Sequence, residues 1–207
     1  MEYSVNRKEP LTFTDRLRLI FKDVLGPIAV FLNNLGIHPN TLTIAGMTGT
    51  ALGAYFVATG NLPLGGLLVM LMGPVDAMDG AVARVRGEPE DFGAFVDSVS
   101  DRYSELFIYA ALLWYYLQLG NLPASMLVFA AAAGSILVSY IRARAQSLGF
   151  EAKVGFLTRV ERYFIIGPAL LFNQPIWGVA IVAIGANFTA LQRIFYVRKA
   201  IRNRSKP

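Results

Sequence analysis

Residues 62–101 read LPLGGLLVMLMGPVDAMDGAVARVRGEPEDFGAFVDSVSD, and this stretch decides the fold class. It opens with an apolar run long enough for a bilayer-spanning helix, which takes about 20 residues. Asp76 and Asp79 lie inside that run, and Asp97 and Asp101 lie at the start of the next one. Ionisable side chains inside a membrane are costly and mark functional sites. The stretch therefore predicts two membrane helices that share a polar site.

The composition of the whole chain agrees with a membrane protein. Of its 207 residues, 55% are hydrophobic and 16% are charged, whereas about 25% of residues are charged in soluble domains. The chain has no cysteine and one histidine. Disulfides and thiolate sites are therefore excluded, and any bound metal must be a hard cation held by oxygen ligands.

Apolar stretches along the chain predict six transmembrane helices after an N-terminal helix. Leu11–Ile37 places apolar side chains among basic ones, which is typical of an amphipathic helix at the membrane interface. The fifth stretch is the shortest and needs the preceding turn, Leu157–Arg162, to span the bilayer. The six stretches are Pro39–Thr59, Leu62–Ala83, Phe92–Leu119, Leu122–Ile141, Tyr163–Phe172 and Ile176–Val197.

Charge is distributed unevenly between the two sides of the predicted membrane. The connections at residues 60–63, 120–123 and 173–175 are uncharged, and all 19 Lys and Arg residues fall on the opposite side. Because cytoplasmic loops are rich in Lys and Arg, we expect both termini and the polar site to face the cytoplasm from the plasma membrane. This topology explains the net charge of +5, so nucleic acid is not an expected partner.

The predicted spans leave no room for a separate soluble domain. We expect one membrane domain over residues 1–207. Within it, residues 1–38 form a cytoplasmic tail and the amphipathic helix, residues 39–200 form the six-helix bundle, and residues 201–207 form a basic tail. The predicted class is an all-α integral membrane protein.

The four aspartates form two pairs at helical spacing, so each pair lies on one face of its helix. A short loop joins the two helices, and we expect them to be antiparallel neighbours with the carboxylates facing each other. Like charges so close disfavour ionisation, and one or two Mg²⁺ or Mn²⁺ ions would offset the repulsion. Alternatively, the acids form interfacial pairs with the nearby arginines, namely Arg84, Arg86 and Arg102.

The same residues resemble a family signature. The pattern of the CDP-alcohol phosphotransferases is matched at every specified position by Asp76-x2-Asp79-Gly80-x2-Ala83-Arg84-x8-Gly93-x3-Asp97-x3-Asp101. The resemblance implies an enzyme with two bound Mg²⁺ or Mn²⁺ ions. It also implies transfer of a phosphatidyl group from a CDP-linked lipid to an alcohol, release of CMP, and a homodimer.

The resemblance implies roles for individual residues. The implied metal ligands are Asp76, Asp79, Asp97 and Asp101, with Asp101 also the base. The implied contacts to CDP-diacylglycerol or CDP-archaeol are Asn40, Thr41, Leu42, Thr43, Gly80 and Arg84. The other interpretation of the segment that begins the first span is an ordinary helix start with Asn40 as the N-cap.

Arginines near the same boundary indicate the acceptor. Guanidiniums of Arg142, Arg162 and Arg193, converging near the carboxylates, would bind a phosphate, unless each of them snorkels to the interface. The runs SYIRARA (139–145), GFLTRVER (155–162) and QR (192–193) resemble the phosphatidylinositol phosphate synthase branch. That resemblance implies inositol phosphate as the acceptor.

Two other functions stay open at this point. A phosphatidylglycerophosphate synthase would use glycerol 3-phosphate, and its branch usually carries a GKxKTxxQ-like run that this chain lacks. A divalent-cation transporter could use the same carboxylates. We would then expect polar residues through to the far side, where the connections are uncharged.

Overall fold

The computed structural model describes residues 25–87 and 90–204, which are helical apart from short connections. Helix α1 covers residues 25–34. The longer helices are α2 (Pro39–Ala58), α3 (Leu62–Arg86), α4 (Glu90–Gln118), α5 (Leu122–Ser147), α6 (Arg159–Leu171) and α7 (Pro175–Arg204). The predicted all-α class is confirmed. Most of the predicted amphipathic helix, residues 11–24, lies outside the described residues.

The outer surface of the helices is suited to lipid. Helices α2, α3, α5 and α7 are long and apolar enough to cross a membrane. Large apolar side chains lie outside, and five that are more than half exposed are Tyr55, Trp114, Phe129, Trp177 and Ile184. Apolar patches of this extent are unfavourable in water. The chain is a membrane protein.

The count of six spans stays a prediction because two helices differ from the other four. Helix α4 has 29 residues and carries the acids of the polar site near its start. Helix α6 has 13 residues and contains Pro168. Its length is about 20 Å, shorter than the roughly 30 Å of bilayer hydrocarbon.

Several helices continue beyond the apolar stretches that predicted them. Helices α3, α5 and α7 end at Arg86, Ser147 and Arg204, because backbone hydrogen bonding does not stop where the side chains become polar. Helix α7 thus includes part of the predicted basic tail, residues 201–207. Gly87, with φ of 66°, ends α3 in the left-handed conformation that glycine adopts at low cost.

The six long helices pack as a closed ring. Helix α2 packs against α3 and α4, α4 against α5, α5 against α7, α7 against α6, and α6 against α3. Helices α3 and α4 contact each other far less than either contacts α2. The two helices were predicted to be antiparallel neighbours; they do meet, but weakly, and α2 is the main partner of both.

Small residues on α2 allow α3 to approach closely. A Cβ atom on Gly53 would lie 3.0 Å from the carbonyl oxygen of Gly65. At the other end of the contact, a Cβ atom on Gly46 would lie 3.4 Å from the Cβ atom of Asp76. These glycines bring α2 against the turn of α3 that carries the first aspartate.

Candidate active site

The predicted functional residues lie at one end of the ring, where α2, α4 and α6 begin and α3, α5 and α7 end. Hydrogen bonds and ion pairs connect these ends: α2 to α3 through Thr43 and Asp79, and α6 to α3 and α4 through Arg159. The fold therefore collects residues that are far apart in sequence at one polar end.

Three of the four predicted metal ligands come together. One carboxylate oxygen each from Asp76, Asp97 and Asp101 lie within 4.8 Å of one another. We call these three residues the carboxylate cluster. Asp101 is buried and the other two are half-buried. Such a set of oxygens is what hard divalent cations prefer.

The fourth predicted ligand, Asp79, is buried beside the cluster and is held by hydrogen bonds. The hydroxyl of Thr43 donates to Asp79 Oδ2 at 2.6 Å, and the amide of Gly80 donates to Asp79 Oδ1 at 2.5 Å. Thr43 was predicted to contact the CDP-lipid. In the structure its hydroxyl orients an acid.

The cluster has an oxygen that fits a bound cation. Asp101 Oδ1 is buried and, among the described residues, receives no hydrogen bond. Its contact with Arg159 Nη1, at 2.5 Å, is an ion pair without hydrogen-bond geometry. Because a buried carboxylate without hydrogen bonds is costly, a cation that binds this oxygen would be stabilising. The residues present thus fit a divalent metal.

Arg159 is a site residue to which the sequence interpretation gave no role. Its Nη2 atom donates to Asp76 Oδ2 at 2.8 Å, while Nη1 contacts Asp101. Arg102 lies 3.5 Å from the other oxygen of Asp101. Asp76 and Arg159 are 83 positions apart in sequence, so no local spacing signals their pairing.

The structure shows where α2 begins and which residue caps it. The helix begins at Pro39 with His38 as the N-cap, so the assignment of Asn40 as the N-cap is wrong. Proline fixes the start because its φ suits the first helical position and its missing N–H is not needed there. Asn40 is half-buried, Thr41 is exposed and Leu42 is buried.

The predicted CDP-lipid contacts on α3 face open space. Arg84 is exposed in the last turn of α3. A Cβ atom on Gly80 would meet a single neighbour among the described residues, Arg84 Nη1, at 3.6 Å. A ligand can therefore approach the backbone of α3 at Gly80.

Arg162, predicted to bind phosphate, is almost fully buried and is already paired. Its exposure is 1%. Nε and Nη2 donate to the two carboxylate oxygens of Glu105 at 2.6 and 2.9 Å, and Nη1 donates to the carbonyl of Leu157 at 3.2 Å. The sequence interpretation missed Glu105, although it continues the four-residue spacing of Asp97 and Asp101 on α4.

The two other predicted phosphate ligands differ in exposure. Arg193 is 2% exposed and donates to the carbonyls of Val138 at 2.6 Å and Val154 at 2.9 Å. Arg142 is exposed at the end of α5. Arg142 and Arg162 lie close enough to Arg193 for their charges to repel it. All three arginines thus lie at the end of the ring where α5 ends and α6 begins.

Tyr163 joins α6 to α3 close to the cluster. Its hydroxyl donates to the carbonyl of Val69 at 2.7 Å and accepts from the amide of Gly73 at 3.0 Å. A regular α-helix would pair those two backbone groups directly. The next residue, Pro74, has no N–H. The hydrogen bonding of α3 is therefore altered within one turn of Asp76.

Comparison with known proteins gives matches along most of the chain. Residues 36–192 match the family described as CDP-alcohol phosphatidyltransferase. The archaetidylinositol phosphate synthase of Pyrococcus horikoshii is 37% identical over 187 residues, which are 90% of this chain and 97% of that protein.

Solved structures of one enzyme share the fold. The phosphatidylinositol phosphate synthase of Mycobacterium tuberculosis with CDP-DAG bound has a TM-score of 0.79 and 30% identity, and the match covers 84% of this chain and 94% of that chain. A structure of that enzyme with manganese and citrate has a TM-score of 0.78 and 30% identity, covering 84% of this chain and 88% of that one.

Proposed function

This chain belongs to the CDP-alcohol phosphatidyltransferase family, and from that membership we propose that it transfers a phosphatidyl or archaetidyl group from a CDP-linked lipid to inositol phosphate, releasing CMP. The observation that carries the proposal is the carboxylate cluster, which lies at the same end of the ring as Arg142, Arg162 and Arg193. The cluster suits a metal-dependent transfer, and the arginines suit a phosphorylated acceptor. The names of the relatives from P. horikoshii and M. tuberculosis support the same acceptor.

The metal ligands of the proposed site are the carboxylate cluster and Asp79, which would hold two Mg²⁺ or Mn²⁺ ions. The manganese complex of the M. tuberculosis enzyme supports this assignment. Bound there, divalent cations neutralise the diphosphate and polarise the phosphoryl group attached to the lipid. Thr43 contributes indirectly, because its hydrogen bond fixes the orientation of Asp79.

Asp101 is the proposed general base. A carboxylate has two oxygens, so Oδ1 can hold the metal while Oδ2, which lies 3.5 Å from Arg102 Nη1, accepts a proton. As the acceptor hydroxyl attacks the lipid-linked phosphorus, its proton passes to Asp101. A new P–O bond forms, and the P–O bond to CMP breaks.

The remaining proposed residues bind the two substrates. Exposed Arg84 pairs with the diphosphate of the CDP-lipid, and Gly80 leaves space for it. Asn40, Thr41 and Leu42, at the start of α2, also contact the CDP-lipid. On the other side, the acceptor phosphate binds Arg142, Arg162 and Arg193.

The proposed membrane arrangement follows the charge distribution. Residues 1–207 form one domain with six spans in the plasma membrane, and the site faces the cytoplasm. At this boundary lipid chains remain in the bilayer while CDP and inositol phosphate arrive from water. The proposed assembly is a homodimer, as the family resemblance implies.

The test is an acceptor panel. Purified protein receives CDP-diacylglycerol or CDP-archaeol, Mn²⁺, and one of inositol phosphate, glycerol 3-phosphate, serine or free inositol, and CMP release is measured. We expect inositol phosphate to give the fastest release. Faster release with glycerol 3-phosphate would establish the phosphatidylglycerophosphate synthase alternative instead. Cation flux through vesicles without CMP release would support the transporter alternative.

A further inference from the structure

The proposed metal site contains a cation of its own. Arg159 is the first residue of α6, and its guanidinium lies between α3 and α4, with Nη2 2.8 Å from Asp76 Oδ2 and Nη1 2.5 Å from Asp101 Oδ1. Two carboxylates of the cluster therefore share one guanidinium, whose planar fork can contact both at once.

A divalent ion held by Asp76 and Asp101 would lie close to this guanidinium, because both cations interact with the same two carboxylates. Each aspartate that binds a metal presents an oxygen to it at about 2.0–2.6 Å. The guanidinium and the metal are both cations, and their repulsion is large at short range in a partly buried site. A divalent ion on these carboxylates therefore weakens the hold of the guanidinium, and the guanidinium weakens the binding of the ion.

Arg159 also has room to move. Its side chain is 38% exposed, whereas Arg162, one turn further along α6, is 1% exposed and fixed by Glu105. Arg159 can therefore shift with less disturbance of the bundle core than Arg162 can.

We infer that Arg159 is a built-in competitor of the divalent cation: it holds Asp76 and Asp101 together and releases their oxygens when the metal binds. The inference rests on the proposed metal site. Arg159 offsets the mutual repulsion of the acids without the metal, and it weakens metal binding because the ion must displace it. It is a positioning residue rather than a catalytic one.

The experiment measures Mn²⁺ binding to the full-length protein in detergent by electron paramagnetic resonance, without substrates. We expect Arg159→Gln to lower the Mn²⁺ dissociation constant by about tenfold, which corresponds to about 1.4 kcal/mol. Arg159→Lys keeps the charge but has no planar guanidinium to contact two carboxylates at once. It should lower the dissociation constant by a smaller factor. The matched control is Arg102→Gln, because Arg102 is about as exposed as Arg159 but lies near Asp101 alone, at 3.5 Å. Its dissociation constant should stay close to the parent's.

Thermal unfolding adds a second measurement. In EDTA the Arg159→Gln protein should unfold at a lower temperature than the parent, and Mn²⁺ should raise its unfolding temperature by more. Unchanged or weaker Mn²⁺ binding in a folded Arg159→Gln protein would overturn the inference. If the Gln protein does not fold, unchanged or weaker Mn²⁺ binding by Arg159→Lys would overturn it instead. Failure of the parent to bind Mn²⁺, or equal binding by Asp76→Asn, would instead overturn the metal site itself.

Discussion

Asp101 is the residue on which the proposed chemistry converges. It belongs to the carboxylate cluster, contacts Arg159 through one oxygen and lies near Arg102 through the other. Asp101 is buried on α4, and Asp76 and Arg159 reach it from α3 and α6, so tertiary packing sets part of its environment. A change of this single side chain therefore tests both metal binding and proton transfer.

The substitution Asp101→Asn should reduce CMP release by at least about a hundredfold, since loss of a general base commonly costs about 10²–10⁴ in rate. Initial rates at saturating substrates and Mn²⁺ measure the effect. EDTA should abolish the activity of the parent. The control is Glu151→Gln, since Glu151 is an exposed acid paired with Lys153 on the loop after α5. A near-normal rate for the Asp101→Asn protein would exclude Asp101 as the base.

Arg142 gives the cleanest test of the acceptor phosphate, because it is exposed. Its replacement by Ala should raise the KM for inositol phosphate roughly tenfold to a hundredfold, as expected for loss of a charge-assisted hydrogen bond of about 1.5–3 kcal/mol. The KM for the CDP-lipid should change little. Arg84→Ala should show the reverse bias.

The matched control for Arg142 is Arg144→Ala, since Arg144 lies exposed on the same helix and donates to Ser147. An unchanged acceptor KM in the Arg142→Ala protein would contradict its role. Replacement of Arg193 is less informative, because that residue also binds two backbone carbonyls and its loss should lower stability.

Among individual site residues, the sequence predicted those that lie within one helical turn of each other. The i, i+3 and i, i+4 pairs of aspartates were recognisable, and three of the four acids do cluster. The pairing of Arg159 with Asp76 and that of Arg162 with Glu105 cross 83 and 57 positions. No periodicity encodes such contacts, so they could not be predicted.

Helix α6 is the element that positions the site. Although it has only 13 residues, its first two turns supply Arg159 to the cluster, Arg162 to Glu105 and Tyr163 to the backbone of α3. From hydropathy, α6 was predicted only as the shortest apolar stretch, Tyr163–Phe172. The polar contacts that give it a fixed place depend on α3 and α4, and hence on the completed ring.

Tyr163→Phe should disturb the middle of α3 without removing any group from the cluster. Loss of the hydroxyl leaves the carbonyl of Val69 and the amide of Gly73 without this partner, or lets them pair directly and re-aim Asp76. We expect a stability loss of about 1 kcal/mol, together with weaker Mn²⁺ binding. Thermal unfolding and Mn²⁺ titration measure these effects.

The control is Tyr115→Phe, because Tyr115 lies on α4 near Gly60, at the other end of the ring. It should leave Mn²⁺ binding unchanged. Equal Mn²⁺ affinity for Tyr163→Phe and the parent would show that the hydroxyl does not position Asp76.

The turns could be predicted from the sequence, whereas the order of the helices around the ring could not. Both GNLP connections combine a glycine with positive φ and an asparagine that caps the next helix: Asn61 and Asn121 accept hydrogen bonds from backbone amides. These signals are local. The contacts of α2 with α4, α3 with α6 and α5 with α7 join helices that are not consecutive, and amphipathic patterns do not specify such partners.

The whole molecule has one polar end and an apolar girdle. The carboxylates, the arginines and the basic end of α7 occur where α3, α5 and α7 end, while uncharged turns connect the helices at the other end. From the positive-inside rule we expect the basic end to face the cytoplasm. The proposed site then faces the compartment that supplies water-soluble nucleotide and acceptor.

Because the chain has no cysteine, single introduced cysteines test this orientation. Glu151 and Gln174 are both exposed, Glu151 on the loop between α5 and α6 and Gln174 on the turn between α6 and α7. In cells of a bacterial host, a membrane-impermeant maleimide should label Gln174→Cys from outside but label Glu151→Cys only after lysis. A reporter fused after Pro207 should likewise read cytoplasmic.

The two cysteines flank α6, which is too short to span a bilayer of normal thickness by its apolar residues alone. Opposite labelling of the two cysteines would therefore mean that α6 crosses the membrane together with its polar first turn and that the lipid is locally thinner. Labelling of both cysteines from outside would remove α6 from the count of spans, and labelling of Glu151→Cys alone would reverse the topology and move the proposed site away from the cytoplasm.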